Sequence, residues 1–247
     1  MTPPRFSLPS ECITPPAVNF PPDRCAQVSN VLRLKTGAVV NVFGQDGAEH
    51  QVVLTSVSRN AVQGRIENTF YPDTEPRINL ELWVCSSRRE KVEWVIQKCT
   101  EIGASSFRFL VSGRSLVQNL ADIETKTARW QQIAMEAAEQ SGRVKVPAIL
   151  PPLHYRQAVM LPFAADVIRC IAWERDQNHT VQDILPAKEI VSKAILLVGP
   201  EGGFNEDEVQ LAEKHGFQPV TLGKRVYRLE TAAMVGCVLL LEAFNSL

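Results

Sequence analysis

The feature that most constrains the fold of this chain is a change of hydrophobic pattern partway along it. Early in the chain, short runs rich in β-branched residues are separated by turns, as at residues 39–43, 51–54 and 61–66. Later, strand-like apolar runs alternate with stretches whose apolar residues recur at helical spacing. The first pattern is typical of a small β-barrel and the second of an α/β domain. The sequence therefore predicts a β-barrel over residues 1–72 and an α/β domain over residues 77–247.

The α/β region contains continuous apolar runs of the kind that are buried in parallel sheets. The ranges predicted as strands are 78–85, 107–111, 167–172, 194–198 and 218–222. The ranges predicted as helices are 90–102, 127–141, 205–216 and 231–244. A capping-box pattern marks the third of these helices, because Asn205 is followed by Glu208.

Composition excludes several classes of protein. With 247 residues, of which 45% are hydrophobic, the chain can bury a large core and is not disordered. Its six cysteines are scattered without a C-x-x-C pair, which predicts free thiols in a reducing compartment and no metal site. No run approaches the roughly 20 apolar residues that span a bilayer, and the first residues lack the apolar stretch of a signal peptide. We therefore expect a soluble cytoplasmic protein.

The distribution of charge is more informative than its sum. A formal net charge of −1 argues against a general polyanion-binding protein. Residues 77–147, however, carry a net charge of +3, while residues 148–247 carry −3. An anionic partner is therefore expected to bind chiefly to the middle of the chain.

The first candidate site follows the predicted strand 194–198. Residues 199–204, Gly-Pro-Glu-Gly-Gly-Phe, form a glycine loop that leads into a helix. Glycine lets the backbone approach a ligand closely, and ligands of open α/β sheets bind beyond the carboxyl ends of strands. The loop is neither a Walker A motif nor G-x-G-x-x-G, and a tight turn that merely needs glycine is an equally good interpretation.

The second candidate site also lies between a strand and a helix. Residues 222–228 form a cationic loop that carries Lys224, Arg225 and Arg228 without an acidic neighbour. Such a group of cations suits an anionic substrate. Glu230 and Thr231 then begin the last helix, where Thr231 is expected to cap the helix and Glu230 to complement its dipole. Both loops should open on the same edge of the sheet.

Two further segments have ambiguous patterns. Gln140 and Arg143 are spaced so that both can face one pocket, but an ordinary helix end is equally compatible with that spacing. Arg88, Arg89 and Lys91 lie after a predicted strand, either as phosphate contacts or as the charged first turn of a helix. The four histidines form no catalytic grouping and receive no role.

Taken together, these segments resemble a known family. The runs VGPEGGF (198–204) and LGKRVYRLETA (222–232) are similar to the paired cofactor loops of SPOUT-class RNA methyltransferases. More narrowly, they resemble the bacterial 16S ribosomal RNA uridine N3-methyltransferases. The runs WVIQKCTEIG (94–103), EAAEQSGRVKVP (136–147) and VLRL (31–34) follow the same pattern, so the resemblance covers nearly the whole chain.

The resemblance implies a PUA-like RNA-binding barrel followed by a SPOUT domain with a C-terminal trefoil knot, which is a rare exception among folds. It implies S-adenosylmethionine as cofactor, 16S rRNA or the assembled small ribosomal subunit as substrate, and a homodimer whose subunits complete each other's RNA site. Neither a metal nor a membrane is implied.

The resemblance also assigns residues. The expected cofactor contacts are Leu197, Gly199, Pro200, Glu201, Gly202, Gly203, Leu222, Gly223, Arg228, Leu229, Glu230 and Thr231. The expected RNA contacts are Arg33, Arg88, Arg89, Lys91, Gln140, Arg143, Lys224 and Arg225. Arg228 and Glu230 are the expected catalytic residues: Arg228 as a hydrogen-bond donor to uracil or phosphate, and Glu230 as a base if it faces the pocket. The chain departs from the family pattern at Ser29, Tyr227 and Leu229, where His, an aliphatic residue and Thr are usual.

Two other functions remain open at this point. One is a SPOUT enzyme that methylates a ribose hydroxyl or a different RNA. The other is an RNA-binding assembly factor without catalysis, although such a protein has no need of a cofactor site.

Overall fold

The structure is a computed structural model that describes residues 3–176, 179–185 and 191–245. The chain divides into two compact units, and each is described by itself. The first comprises residues 1–75 and 138–146, and the second comprises residues 76–137 and 147–247. The boundary after Glu75 lies within residues 71–76, which contain Pro72 and Pro76 and separate the two sequence patterns, but residues 138–146 were not part of the predicted barrel.

The first unit is built on a six-stranded mixed sheet. Its strands are β1 (Arg5–Ser7), β2 (Ile13–Thr14), β3 (Ala17–Asn19), β4 (Val39–Phe43), β5 (Glu49–Val57) and β6 (Val62–Phe70), and a short helix, α1, spans Pro22–Ala26. The strand order is β1-β4-β5-β6-β3-β2, in which only the β1–β4 pair is parallel. Alternate side chains of these strands, among them Phe6, Val40 and Leu54, are fully buried in one core.

The side chain of Arg5 forms hydrogen bonds that join residues 138–146 to the rest of this unit. Its guanidinium donates hydrogen bonds to the carbonyl oxygens of Ala138, Glu139 and Arg143, at 3.2, 2.9 and 2.9 Å. It also forms an ion pair with Glu49 at 2.8 Å. These carbonyls lie in or just after the last turn of α4, where backbone carbonyl groups lack a full set of partners within the helix.

The second unit is an α/β fold with a parallel sheet. Its strands are β7 (Asn79–Cys85), β8 (Ser106–Val111), β9 (Ala148–His154), β10 (Val167–Ala172), β11 (Lys193–Val198) and β12 (Gln218–Val220). Its helices are α2 (Arg89–Ile102), α3 (Leu120–Glu124), α4 (Thr127–Ser141, whose last turn belongs to the first unit), α5 (Tyr155–Val159), α6 (Glu206–Lys214) and α7 (Leu229–Ala243). Trp83, Ile195 and Phe217 are buried in the core on one face of the sheet.

The strand order of this sheet is β12-β10-β11-β7-β8-β9, and every pair in it is parallel. The chain runs outward from β7 to β9 and then returns on the other side of β7 through β10, β11 and β12. Such a reversal of strand order leaves a crevice beyond the carboxyl ends of the strands, where ligands bind. The candidate site lies on this side of the sheet.

Local signals predicted several boundaries correctly. Asn205 and Glu208 form the expected capping box at α6, and α2 is followed by Gly103, whose φ of +128° suits glycine. The predicted cap at Thr231 is wrong, because α7 begins at Leu229 and has Arg228 at its N-cap position without a side-chain hydrogen bond. Glu230 does lie in the first turn, as expected.

Candidate active site

The carboxyl ends of β10, β11 and β12 surround a cavity in the second unit. Its volume is about 750 Å³, including the part open to solvent. The lining residues are 172–174, 198–204, 221–223 and 225–227, together with Ala232 of α7. The glycine loop and the cationic loop therefore open on the same edge of the sheet, as the sequence predicts.

The glycine loop presents mainly backbone to the cavity. Gly203 has a φ of +65°, a conformation that favours glycine. The carbonyl oxygen of Gly202 accepts a hydrogen bond from Nη1 of Arg114 at 2.7 Å, which braces the loop. A Cβ at Gly199 would lie 3.1 Å from the ring of Phe204, so the first turn of the loop is tightly packed. The three glycines thus leave backbone that a ligand can approach at close range.

Glu201 is held by two partners that both contact its Oε1 atom. The hydroxyl of Ser87 donates a hydrogen bond at 2.5 Å, and the Nζ atom of Lys91 lies at 3.1 Å. Burial alone would raise the pKa of Glu201, but the hydrogen bonds from Ser87 and Lys91 outweigh it and lower the pKa below its usual value. Glu201 is therefore an anion whose orientation is set by the start of α2.

The cationic loop is exposed to solvent, and its cations are unpaired among the described residues. Gly223 has a φ of +129°, and Lys224, Arg225 and Arg228 are exposed. Within the described part of the chain, the side chains of these three cations have no hydrogen-bond or ion-pair partner. Arg225 lines the cavity, and Arg228 lies beside it at the N-cap of α7. The rim of the cavity is therefore available to an anionic ligand.

The first residues of α7 contribute less to the wall of the cavity than expected. Leu229 is buried, and neither it nor Glu230 or Thr231 is among the residues that line the cavity. The Oε2 atom of Glu230 is buried, accepts no hydrogen bond from the described residues, and lies 3.5 Å from Nζ of Lys91. Leu197 was also expected to contact the cofactor, but its side chain is fully buried in the core, and the cavity begins at Val198.

The eight predicted RNA contacts fall into two groups. Arg33, Arg88, Gln140, Lys224 and Arg225 are exposed, and the structure gives their side chains no partner among the described residues. Arg89, Lys91 and Arg143 are engaged in ion pairs with Glu93, Glu201 and Glu75 respectively. Arg143 is the clearest correction: its side chain is only 4% exposed and lies 2.7 Å from Glu75 within the first unit.

The sequence did not point to several residues of the site. Trp173 and Glu174 line the cavity after β10, and Ser87 and Arg114 brace the glycine loop from elsewhere in the chain. No motif marks these residues, because their roles depend on which strand ends are neighbours in the sheet. Their only signal is that they follow predicted strands.

Two findings bear on the classes of ligand and environment. Among the described residues, no group of three or more His, Cys, Asp or Glu side chains has the arrangement of a metal site. No helix in the described ranges is long and apolar enough to cross a bilayer.

Comparisons with known proteins agree on one family. Residues 74–241 match the family described as RNA methyltransferase domain. The ribosomal RNA small subunit methyltransferase E of Synechocystis is 31% identical over 84% of this chain and 67% of that protein.

Solved structures give the same result. The ribosomal RNA small subunit methyltransferase E of Neisseria gonorrhoeae, bound to S-adenosyl methionine, has a TM-score of 0.85 and 31% identity. That alignment covers 96% of this chain and 95% of the other. A methyltransferase from Legionella pneumophila with bound SAM has a TM-score of 0.88 and 28% identity, covering 98% of both chains. This chain therefore belongs to the RNA methyltransferase family.

Proposed function

We propose that this protein transfers a methyl group from S-adenosylmethionine to N3 of a specific uridine in 16S ribosomal RNA. The observation that carries the proposal is a cavity walled by the backbone of the glycine loop, with unpaired cations at its rim. The names of the similar proteins point to a small-subunit ribosomal RNA substrate, and two similar structures contain the cofactor. The choice of uridine N3 rests on the sequence resemblance.

The residues of the cavity fit the cofactor. A Cβ at Gly203 would lie 3.0 Å from Oε1 of Glu174, which also lines the cavity, so the space between these two residues depends on the absence of a side chain. We assign cofactor contacts to Gly199, Pro200, Gly202 and Gly203 of the glycine loop and to Leu222 and Gly223 of the cationic loop. The bound cofactor supplies an electrophilic methyl group on its sulfonium.

Methylation of uracil at N3 requires that the ring nitrogen lose its proton. Negative charge then develops on the imide, and a fixed cation stabilises it. Arg228 suits this task because its guanidinium stays protonated and its side chain has no partner among the described residues. The contact of Glu230 with Lys91 favours a positioning role for this residue over the role of base. The target uridine must also leave any stack to be reached.

We further propose that the first unit is the PUA-like RNA-binding barrel, and that the end of the second unit forms the trefoil knot of SPOUT enzymes. A separate six-stranded sheet with its own core supports the first assignment. We propose homodimerisation from the sequence resemblance; α7 is almost wholly apolar, and its Val238 is 39% exposed. A cytoplasmic location follows from the ribosomal substrate.

Mass spectrometry of nucleosides from 16S rRNA, prepared with and without the gene, tests this function. Loss of 3-methyluridine, restored by the purified protein and S-adenosylmethionine, is the expected result. Loss of a ribose methyl group would instead indicate the other type of SPOUT enzyme. An unchanged nucleoside profile would favour a non-catalytic assembly factor.

The variant Gly202→Val tests whether the cavity beside the glycine loop binds the cofactor. The φ of Gly202 is not in the left-handed region, and its nearest neighbour is the flexible side chain of Arg114. The fold should therefore tolerate valine, whereas calorimetry should detect no binding of S-adenosylmethionine. Undiminished binding would mean that the glycine loop is only a tight turn.

A further inference from the structure

Lys91 lies where three segments of the second unit meet. It occupies the first turn of α2, and its side chain is 25% exposed. Its Nζ atom is 3.1 Å from Oε1 of Glu201 in the glycine loop and 3.5 Å from Oε2 of Glu230 in α7. One ammonium group therefore serves two carboxylates that belong to different parts of the chain.

The electrostatics of this arrangement depend on Lys91. The side chains of Glu201 and Glu230 are 31% and 19% exposed, so water screens them only in part. Without the ammonium, two neighbouring anions would repel each other. The buried Oε2 atom of Glu230, which accepts no hydrogen bond, would lose its only charged partner among the described residues.

The contact with Glu230 holds the first turn of α7, which begins at Leu229, immediately after Arg228 of the cationic loop. The contact with Glu201 fixes the glycine loop, to which Ser87 contributes a second hydrogen bond. Lys91 thus connects the glycine loop with the first turn of α7 without itself being a lining residue.

We propose that Lys91 is a positioning residue that holds the glycine loop and the start of α7 in the arrangement that binds the cofactor. The proposal rests on the proposed function and deepens it. It also replaces the expectation that Lys91 contacts RNA, because the ammonium is already engaged by two carboxylates. The nearby Arg88, exposed and without a side-chain partner among the described residues, is better placed for that task.

The test compares Lys91→Met with Lys98→Met. Lys98 is a matched control because it lies on the same helix, has a side chain 30% exposed, and pairs with Glu101 of that helix at 2.8 Å. Calorimetry should show that Lys91→Met weakens S-adenosylmethionine binding by about tenfold or more, as expected when one partner of a partly buried charge cluster is removed. Lys98→Met should stay within about twofold of wild type, since it breaks only a surface pair.

Kinetics and RNA binding separate positioning from RNA contact. For Lys91→Met we expect a lower kcat and a higher KM for S-adenosylmethionine, with an unchanged KM for RNA. The affinity for a 16S rRNA fragment and its salt dependence should also match those of wild type. A loss of RNA affinity with a shallower salt dependence, at unchanged cofactor affinity, would overturn the proposal and restore the RNA role.

Two additional variants test whether cofactor binding depends on the positive charge of Lys91. Lys91→Arg keeps the positive charge and should recover most of the cofactor affinity. In the double variant Lys91→Met with Glu230→Gln, the repulsion is relieved, so cofactor binding should be stronger than in Lys91→Met alone. Additive losses in the double variant would overturn the proposal. If Lys91→Met does not fold, Lys91→Gln, which keeps a hydrogen-bond donor, replaces it in each comparison.

The wild-type protein serves to distinguish two kinds of failure. If it neither binds S-adenosylmethionine nor methylates RNA, the proposed function is wrong. If it does both and Lys91→Met behaves like Lys98→Met, only the role of Lys91 is wrong.

Discussion

Arg143 and Arg228 are both arginines near a helix end, and both were expected to meet the substrate, but the structure uses them in opposite ways. The side chain of Arg143 is 4% exposed and is bound to Glu75 in the first unit. Arg228 is exposed beside the cavity of the second unit, and its side chain has no partner among the described residues. The first arginine stabilises the fold, and the second remains available to a ligand.

The difference extends to the surroundings of each arginine. Near Arg143, Glu75 also accepts hydrogen bonds from the backbone N–H groups of Val144 and Lys145, at 3.0 and 3.1 Å. Near Arg228, the neighbouring cations Lys224 and Arg225 are equally unpaired among the described residues. A count of charges along the sequence does not separate these cases, because the acidic partner of Arg143 is distant in sequence.

The largest effect is expected from Arg143→Met. Removing one partner of a buried ion pair leaves Glu75 uncompensated and should lower the free energy of unfolding by about 3–5 kcal/mol. Urea denaturation measures this change. The exposed neighbour Lys145 provides a control, and Lys145→Met should stay within about 0.5 kcal/mol of wild type. A similar small change for both variants would mean that the Arg143 pair is not important for stability.

Arg228→Ala should have the next largest effect, and on catalysis rather than on stability. Loss of a fixed donor at developing negative charge should lower the methylation rate by about 100-fold or more. The affinity for S-adenosylmethionine should stay within a few-fold, and the unfolding midpoint should not change. Single-turnover methylation of 16S rRNA, together with calorimetry, measures both quantities; an unaltered rate would remove Arg228 from the site.

A smaller effect is expected from replacing Lys224 and Arg225 together by alanine. If both contact phosphate, the double variant should weaken RNA binding and reduce the slope of log affinity against log salt by about 1 to 2. Arg89→Ala is the matched control, because Arg89 is exposed but already paired with Glu93 at 2.7 Å. Equal slopes for the double variant and the control would contradict the distinction between free and paired cations.

The smallest effect is expected on the free energy of unfolding at low pH. It depends on Glu93, which is paired with two exposed arginines, Arg89 and Arg129. The hydrogen bond from Arg129, with a further one from Arg89, lowers the pKa of Glu93 from 4.5 to about 2. Because the folded pKa is the lower one, this stabilisation is present above about pH 4.5 and is lost as the pH falls toward 2. For such exposed pairs it amounts to about 0.2–1 kcal/mol.

Urea denaturation between pH 6 and pH 2.5 provides the measurement. Wild type should lose this extra stability on acidification, whereas Glu93→Gln should lack it throughout. Parallel pH profiles for the two proteins would show that the ion pairs of Glu93 do not contribute.

Where a fold feature depends on neighbours in sequence, it was predictable. The bounds of α4 and β10 agree with the periodicity, and the capping box at α6 agrees with the positions of Asn205 and Glu208. β9 was missed because Pro151 and Pro152 lie within it, and prolines usually mark the absence of a strand. They are tolerated there because β9 is the edge strand of its sheet.

The candidate site also divides into local features, which were predictable, and features that depend on the tertiary structure. Both loops were identified, since each carries its own glycines or cations between a strand and a helix. The bracing residues Ser87 and Arg114 and the lining residues Trp173 and Glu174 were not, because only the strand order places them beside the glycine loop.

The sequence by itself determined most strands and helices of the second unit, where glycine permits close approach of a ligand, and which family the chain resembles. These properties are local, because they depend on residues within a few positions of one another. The tertiary structure alone decided which charges are neutralised, joining Arg143 to Glu75 and Lys91 to both Glu201 and Glu230. Coulomb attraction and burial act through space, so the same residue type is neutralised within the fold in one place and stays exposed beside a cavity in another.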